Sequence, residues 1–440
     1  MDAAGGSLES VALTMHIVII GNGIAGVTAA RHIRKLGDHC ITMISDESLR
    51  PFARTALMYV FMGQLTLKST QLYEDWFWEK NRIGRVHARV REVNTLRQEV
   101  ALESGGSVSY DRLVIATGSI PAKPGIPGEN LSGVQHLYHL SDLDTLENHV
   151  RSTRHAVVLG GGLTGIELVE MLLSRGLQVT FIVRENTFMS RQITAEESSM
   201  ITRLIREHGV DLRLNSGIRE IKGQTCVKSV VLADGTEIPC ELLGITIGVS
   251  PATGFLSGTD IETGRGILVD DYLCTSVAGI YAAGDCAQLR APAPARGAVE
   301  PLWYTARAMG ECAAHNVCGV ATVYEQRIWY NSARFFDTEY QIYGHVPAIT
   351  PDGIRSLYWE HKSGRKSVRI NYEAETGSVT GFQTVGIRYR QEVCEQWIHA
   401  RKPVSAVLTE LAKANFDPEF SRRYEAEIGM FFQQQTAGKP

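Results

Sequence analysis

The chain has 440 residues, 44% of them apolar and 21% charged, with a formal net charge of -4. At roughly 100–200 residues per domain that is material for two to four domains. The acidic balance disfavours a general nucleic-acid binder, which carries a basic surface, and no run of about 18 apolar residues offers a membrane span.

Residues 1–14 are small and mixed, with neither a basic start nor a cleavage site. They read as a flexible extension, or as sequence upstream of a start at Met15, rather than as a secretory signal. From residue 16 the sequence HIVIIGNGIAG gives an apolar strand, a glycine turn and a helix start, and residues 41–45 then supply a second strand after Gly37. The same order returns at 155–165 as HAVVLGGGLTG, followed by Gly176 and a strand at 179–183.

The spacing of these glycines has a chemical reason. In GxGxxG the first glycine makes the tight turn, the second lets backbone approach a pyrophosphate, and the third lets helix and strand pack closely. The helix start then offers free N–H groups and partial positive charge to the phosphates. Two copies predict two dinucleotide cradles, one at Gly21, Gly23, Ile24, Ala25 and Gly26, the other at Gly160, Gly162, Leu163, Thr164 and Gly165. A ribose-binding acid belongs about 20 residues further on. Asp46 stands there in the first copy, with Glu47 as the alternative. In the second copy Arg184 would meet a 2′-phosphate and Glu185 would accept from a 2′-hydroxyl, and the balance leans to NADPH over NADH.

Three further motifs follow in order: DRLVIATGSIP at 111–121, ITIGVSP at 245–251 and GIYAAGDCA at 279–287. With the two glycine turns they resemble the pyridine nucleotide-disulfide oxidoreductase superfamily. The likeness is to its branch of NADH-rubredoxin and ferredoxin reductases, apoptosis-inducing factor and nitrite-reductase flavin subunits, and it covers residues 15–319. The resemblance implies an α/β fold: two Rossmann-like three-layer dinucleotide-binding domains, the FAD domain interrupted by the NAD(P) domain, plus an α+β C-terminal domain. The expected boundaries are 15–122 and 250–322 for FAD, 123–249 for NAD(P)H, and 323–440 for a domain that covers the flavin or forms a homodimer interface.

The resemblance also assigns residues. FAD would contact the first turn together with Ala116, Thr117, Gly118, Gly284 and Asp285, and Gly248 would lie where the chain leaves the NAD(P) domain. The stretch DESLRPFARTAL (46–57) is similar to a flavin-contacting segment of the branch, which implies Arg54 and Thr55 as ligands. EPLWYTA (300–306) implies Trp303 at the flavin edge, with the small residues of a helix at 306–319 beneath it. FFDTEY (335–340) is similar to a loop near the flavin, through Phe336.

Two departures from the branch matter. A lysine that pairs with a glutamate in relatives is replaced by Tyr59, while the glutamate is kept as Glu167, the catalytic candidate. Glu167 would either orient the nicotinamide or sit buried and protonated for want of a cation. Residues 42–70 contain no cysteine, so no disulfide stands over the flavin. The eight cysteines are scattered, with no CxxC pair and no metal-ligand spacing, which fits the reducing cytoplasm, packing roles and no metal.

The resemblance thus implies an FAD-dependent oxidoreductase that passes hydride from NAD(P)H to FAD and electrons on to a ferredoxin, a rubredoxin, a nitrite-reductase partner, oxygen or a quinone. A flavin-binding redox sensor or scaffold with slow turnover is the alternative. Beyond residue 319 short strands are expected at 327–330, 340–343, 354–360, 367–372 and 379–382, then helices at 390–400 and 404–412. The tail, 431–440, reads as frayed and too polar for an anchor. Lys362, Arg365, Lys366 and Arg369 surround a turn at 363–364 and form a candidate docking patch for an acidic electron carrier.

Overall fold

Isoleucine and valine fill the run His16–Ile20, and branched β-carbons of this kind favour an extended backbone that can be buried on both faces. In the computed structural model, which describes residues 14–437, that run is the centre of a five-stranded parallel sheet. Its order is Ile280–Ala282, Arg112–Ile115, His16–Ile20, Cys40–Ser45, Ile83–His87. The expected N-terminal extension falls outside the described residues except for Thr14.

The chain divides into two compact units. The first takes residues up to 54 with 67–120 and 250–326, and the second takes 55–66, 121–249 and the remainder. In the first, the helices Ile24–Leu36 and Trp303–Val317 pack on each other. Glycine is required at their closest approach, because a β-carbon on Gly310 would lie 2.3 Å from the carbonyl oxygen of Ala25. The small residues of Trp303–Val317 therefore serve helix–helix packing.

The second unit repeats the architecture in the order Asp211–Arg213, Gln178–Ile182, His155–Leu159, Leu242–Ile245, Val134–Gln135, again with parallel neighbours. It also holds a five-stranded antiparallel sheet, ordered Tyr330–Phe335, Thr338–Gly344, Val379–Val385, Ser367–Glu373, Ile354–Glu360. One face of this sheet, with Tyr343, Leu357, Trp359, Val368, Ile370 and Phe382, forms a core with three C-terminal helices.

Two expectations are corrected here. The strand expected at 327–330 runs instead from Tyr330 to Phe335, because its pairing with Thr338–Gly344 closes over the two-residue turn Phe336–Asp337. Phe336 takes a left-handed φ of 53°, which a sequence without glycine or asparagine there does not announce. The tail is not frayed at 431, since Glu425–Ala437 is one helix and Phe432 is fully buried in the core below it.

Gly310→Ala should lower stability by about 1–3 kcal/mol, the cost of overpacking against a backbone that cannot move aside. Thermal or urea unfolding measures it, and an unchanged midpoint would show that the two helices separate easily.

Candidate functional site

The two glycine turns have the same construction. A β-carbon on Gly21 would meet the carbonyl oxygen of Ala116 at 2.1 Å, and one on Gly26 would meet that of Gly21 at 2.1 Å. In the second copy Gly160 would strike Thr246 at 2.4 Å and Gly165 would strike Gly160 at 2.0 Å. The middle glycines differ: a β-carbon on Gly23 or Gly162 meets nothing within 4 Å. The outer glycines are thus committed to protein packing, while the inner ones border open space, as a pyrophosphate cradle requires.

The helix starts agree. Gly23 and Gly162 cap their helices without any side-chain hydrogen bond, and neither first turn contains an acid. By contrast, Ala195–Glu207 opens with Glu196 and Glu197, and Leu140–Val150 is closed by a capping box from Asp142. The helix Trp303–Val317 starts without a cap or an acid as well, so what sets the two turns apart is the open middle glycine in front of the amides around Ile24, Ala25, Leu163 and Thr164. FAD and NAD(P)H fit this construction.

Around the first turn, Arg54 forks onto Glu47 at 3.1 and 2.5 Å. Glu47 is largely buried, whereas Asp46 is exposed and lies 3.9 Å from Arg89. Both candidate ribose acids have a cation beside them, but only Glu47 is largely buried and gripped by a forked guanidinium. Gly284 takes a φ of 80°, and a β-carbon there would press on that of Ala25 at 3.0 Å. Asp285 follows it and accepts from the Ser119 hydroxyl at 3.0 Å. Burial pushes the Asp285 carboxyl up, against the opposing effects of Ser119 and Arg54. Thr117 donates to the carbonyl of Ala252 at 2.8 Å, and Gly118 turns with a φ of 67°. Trp303 is the first, half-buried residue of its helix. Thr55 is exposed and belongs by its packing to the second unit. Ser119 was not singled out in the sequence, although it stands inside the 111–121 motif.

In the second unit Glu167 lies on Leu163–Ser174, packed by the short helix Leu57–Phe61 that carries Tyr59. Glu167 keeps some surface, yet its carboxyl is so densely surrounded that burial, helped by the charge of Glu170, pushes it up to about 8. Burial also raises the Tyr59 phenol, with Arg334 opposing and Glu167 and Glu170 adding to it. The neighbour of Glu167 is therefore a neutral phenol, and the carboxyl is itself mostly protonated at pH 7. Glu170 accepts the backbone N–H of Phe336 at 2.6 Å, and the Phe336 ring stacks on His208 at 4.1 Å. At the end of the second-copy strand Arg184 and Arg191, both exposed, reach to 3.5 and 3.4 Å of the Glu185 carboxylate. Arg191 was not foreseen, because its approach depends on the path of the loop 184–194. Gly248 is exposed with a φ of 109°, and two residues earlier Thr246 donates to the carbonyls of Leu159 and Gly160 at 2.9 and 3.2 Å.

The expected basic docking patch is dispersed. Arg369 is buried against Glu196 and Glu197, Arg365 binds Glu207 and Asp337, and Lys366 donates to the carbonyl of Gly386. Carboxylates brought close by the fold pair with two of the four cations and Lys366 is tied to a backbone carbonyl, leaving Lys362 exposed, which weakens the case for an acidic partner there.

Residues 15–310 match the profile of the pyridine nucleotide-disulphide oxidoreductases. The chain belongs to that family. It is an FAD-dependent NAD(P)H oxidoreductase, and residues 42–70 give it no cysteine with which to form a redox disulfide. A rubredoxin-NAD(+) reductase of Ectopseudomonas oleovorans is 30% identical to this family member over 70% of the chain and 81% of that protein. The NAD(P)H nitrite reductase of Bacillus subtilis is 32% identical over 70% of the chain, but the match spans only 38% of that longer protein. A ferredoxin reductase of Rhodopseudomonas palustris superposes with a TM-score of 0.77 at 25% identity, over 84% of the chain and 91% of its own length. Every relative named here is a reductase, and nothing favours the sensor reading.

Two expected outcomes follow from the geometry. Gly23→Ala should keep the melting temperature of the apoprotein while lowering flavin absorbance per chain, whereas Gly26→Ala should lower both. Equal flavin content in Gly23→Ala and the parent protein would show that no phosphate approaches there.

The second concerns pH. Because Glu167 is raised from its ordinary value of 4.5 to about 8, the folded state keeps a proton that the unfolded state gives up between those values. Stability from this group is complete below the lower value and falls as pH rises to the upper one. Glu167→Gln should melt like the parent near pH 5 and increasingly above it toward pH 8.5. A pH-independent difference would mean that Glu167 is ionised throughout.

Proposed function

We propose that this reductase accepts hydride from NAD(P)H, with NADPH preferred, and delivers electrons to a small iron–sulfur carrier of the ferredoxin or rubredoxin class. The observation that carries the reading is the pair of uncapped, acid-free helix starts, each with an open middle glycine. Bound FAD supplies the conversion between two-electron and one-electron chemistry.

The chain's own residues bind and orient. The first turn and Arg54 hold the FAD diphosphate, Glu47 takes the adenosine ribose, and Asp285 with Ser119 fixes the ribityl side. The second turn holds the NAD(P)H pyrophosphate. Arg184 and Arg191 face the 2′-phosphate, and their two charges outweigh the single charge of Glu185. Glu167, protonated near neutrality, is a hydrogen-bond donor in a site without a neighbouring lysine. The names of the rubredoxin and ferredoxin reductases support the acceptor class, and so does the absence of cysteine from residues 42–70. Among the described residues no helix is long and apolar enough to cross a membrane.

The test is anaerobic bleaching of the protein-bound flavin by NADPH and NADH, followed by cytochrome reduction with and without added ferredoxin or rubredoxin. Reduction in milliseconds to seconds, with carrier-dependent turnover, is expected. Arg184→Ala should weaken NADPH by about 1.5–3 kcal/mol, the range for one charge-assisted hydrogen bond, with little effect on NADH. Equal losses for both nucleotides would remove the 2′-phosphate from Arg184.

A further inference from the structure

The loop 184–194, which carries Arg184, Glu185 and Arg191, has two unlike sides. Arg184 and Arg191 are exposed, while Phe188, Met189, Ile193 and Thr194 are buried. The buried side is anchored first by the start of the next helix. The Ser198 hydroxyl donates to the carbonyl of Phe188 at 2.6 Å, and Thr202 accepts the N–H of Phe188 at 3.2 Å. The Phe188 ring meets Phe335 of the antiparallel sheet edge-on at 6.4 Å.

At the far end of the loop Thr194 donates to Glu197, which is fully buried. Glu197 accepts from Arg369 of strand Ser367–Glu373 at 2.9 and 3.0 Å, and Glu196 accepts from the same guanidinium at 2.8 Å. Arg369 is itself buried, held by Ser356 at 2.8 Å and lying 4.6 Å from the Tyr358 ring centre. The loop thus runs from the parallel sheet to a charged anchor on the C-terminal sheet.

We propose that the buried Arg369–Glu197 pair, with Glu196, is a positioning device for nucleotide selectivity, in which the C-terminal sheet sets the loop that holds Arg184 and Arg191 against a 2′-phosphate. This rests on the reading of the second glycine turn as the NAD(P)H site. The physical reason is preorganisation. Two long cationic side chains bind a phosphate well only if the loop beneath them is already ordered, since ordering it during binding weakens the complex. A buried pair of opposite charges with forked geometry has one good arrangement, and it transmits that arrangement to the helix start and the loop before it.

The experiment measures binding of adenosine 2′,5′-bisphosphate and of 5′-AMP by calorimetry to the flavin-loaded protein. Arg369→Lys, which keeps the charge without the fork, should weaken the bisphosphate about tenfold while 5′-AMP stays within about twofold, as expected for losing the order of two side chains. Glu196→Gln changes a half-exposed residue and should fold normally; it should give a smaller loss, about threefold, in the same sense. Unchanged bisphosphate affinity in Glu196→Gln and in folded Arg369→Lys, with Arg184→Ala still weakening it, would overturn the proposal and leave the nucleotide site standing. A parent protein that binds the two probes equally would overturn both.

Discussion

The third glycine of each turn touches the carbonyl of the first, at a distance that leaves no room for a β-carbon. That contact draws the start of each helix against the end of the strand before it, so the first amides of the helix emerge at the carboxyl end of a central strand. A larger residue there would push the helix away from the strand end. Because both copies share the constraint, the chain builds the same strand–turn–helix junction twice, each with an uncapped helix start. Main-chain amides have few degrees of freedom left to lose, which is why the sites need so few dedicated side chains.

The side chains around these cradles modulate charge more than they perform chemistry. Glu47 and Arg54 form a pair in the first site, while Asp285 is raised by burial and steadied by Ser119. Glu167 has a phenol and a second carboxyl for neighbours, so a proton takes the place of a cation. No thiol stands in residues 42–70. Bound FAD would carry the redox chemistry, and the protein's share is position and local potential.

The antiparallel sheet of the second unit is used on both faces. Its apolar face makes a core with Trp397, Val407, Leu408 and Phe432 from the C-terminal helices. Its other face carries Arg369, Asn371 and Gln383, all buried, with Arg369 committed to Glu196 and Glu197. A buried cation of this kind has little tolerance for displacement, since removing its partner leaves an uncompensated charge. The polar face therefore specifies one arrangement more sharply than an apolar contact would.

The two glycine turns were legible in the sequence, because their periodicity and spacing are local. The strands at 16–20, 155–159 and 354–360 were legible for the same reason, since branched residues and flanking turns act over a few positions. The likeness at 111–121 and 279–287 pointed to Asp285, but Ser119 as its donor needed the two segments side by side. The sequence put Asp46 first with Glu47 as the alternative, and the fork of Arg54 onto the largely buried Glu47 appears only in the fold. Lys362, Arg365, Lys366 and Arg369 read as one basic surface along the chain, yet distant carboxylates take up Arg365 and Arg369. Residues from 431 looked frayed because the helix Glu425–Ala437 that contains them draws its stability from burying Phe432 rather than from its own propensity. Local order is written in neighbouring residues. Charge pairing and burial depend on segments far apart in sequence, and tertiary structure decides them.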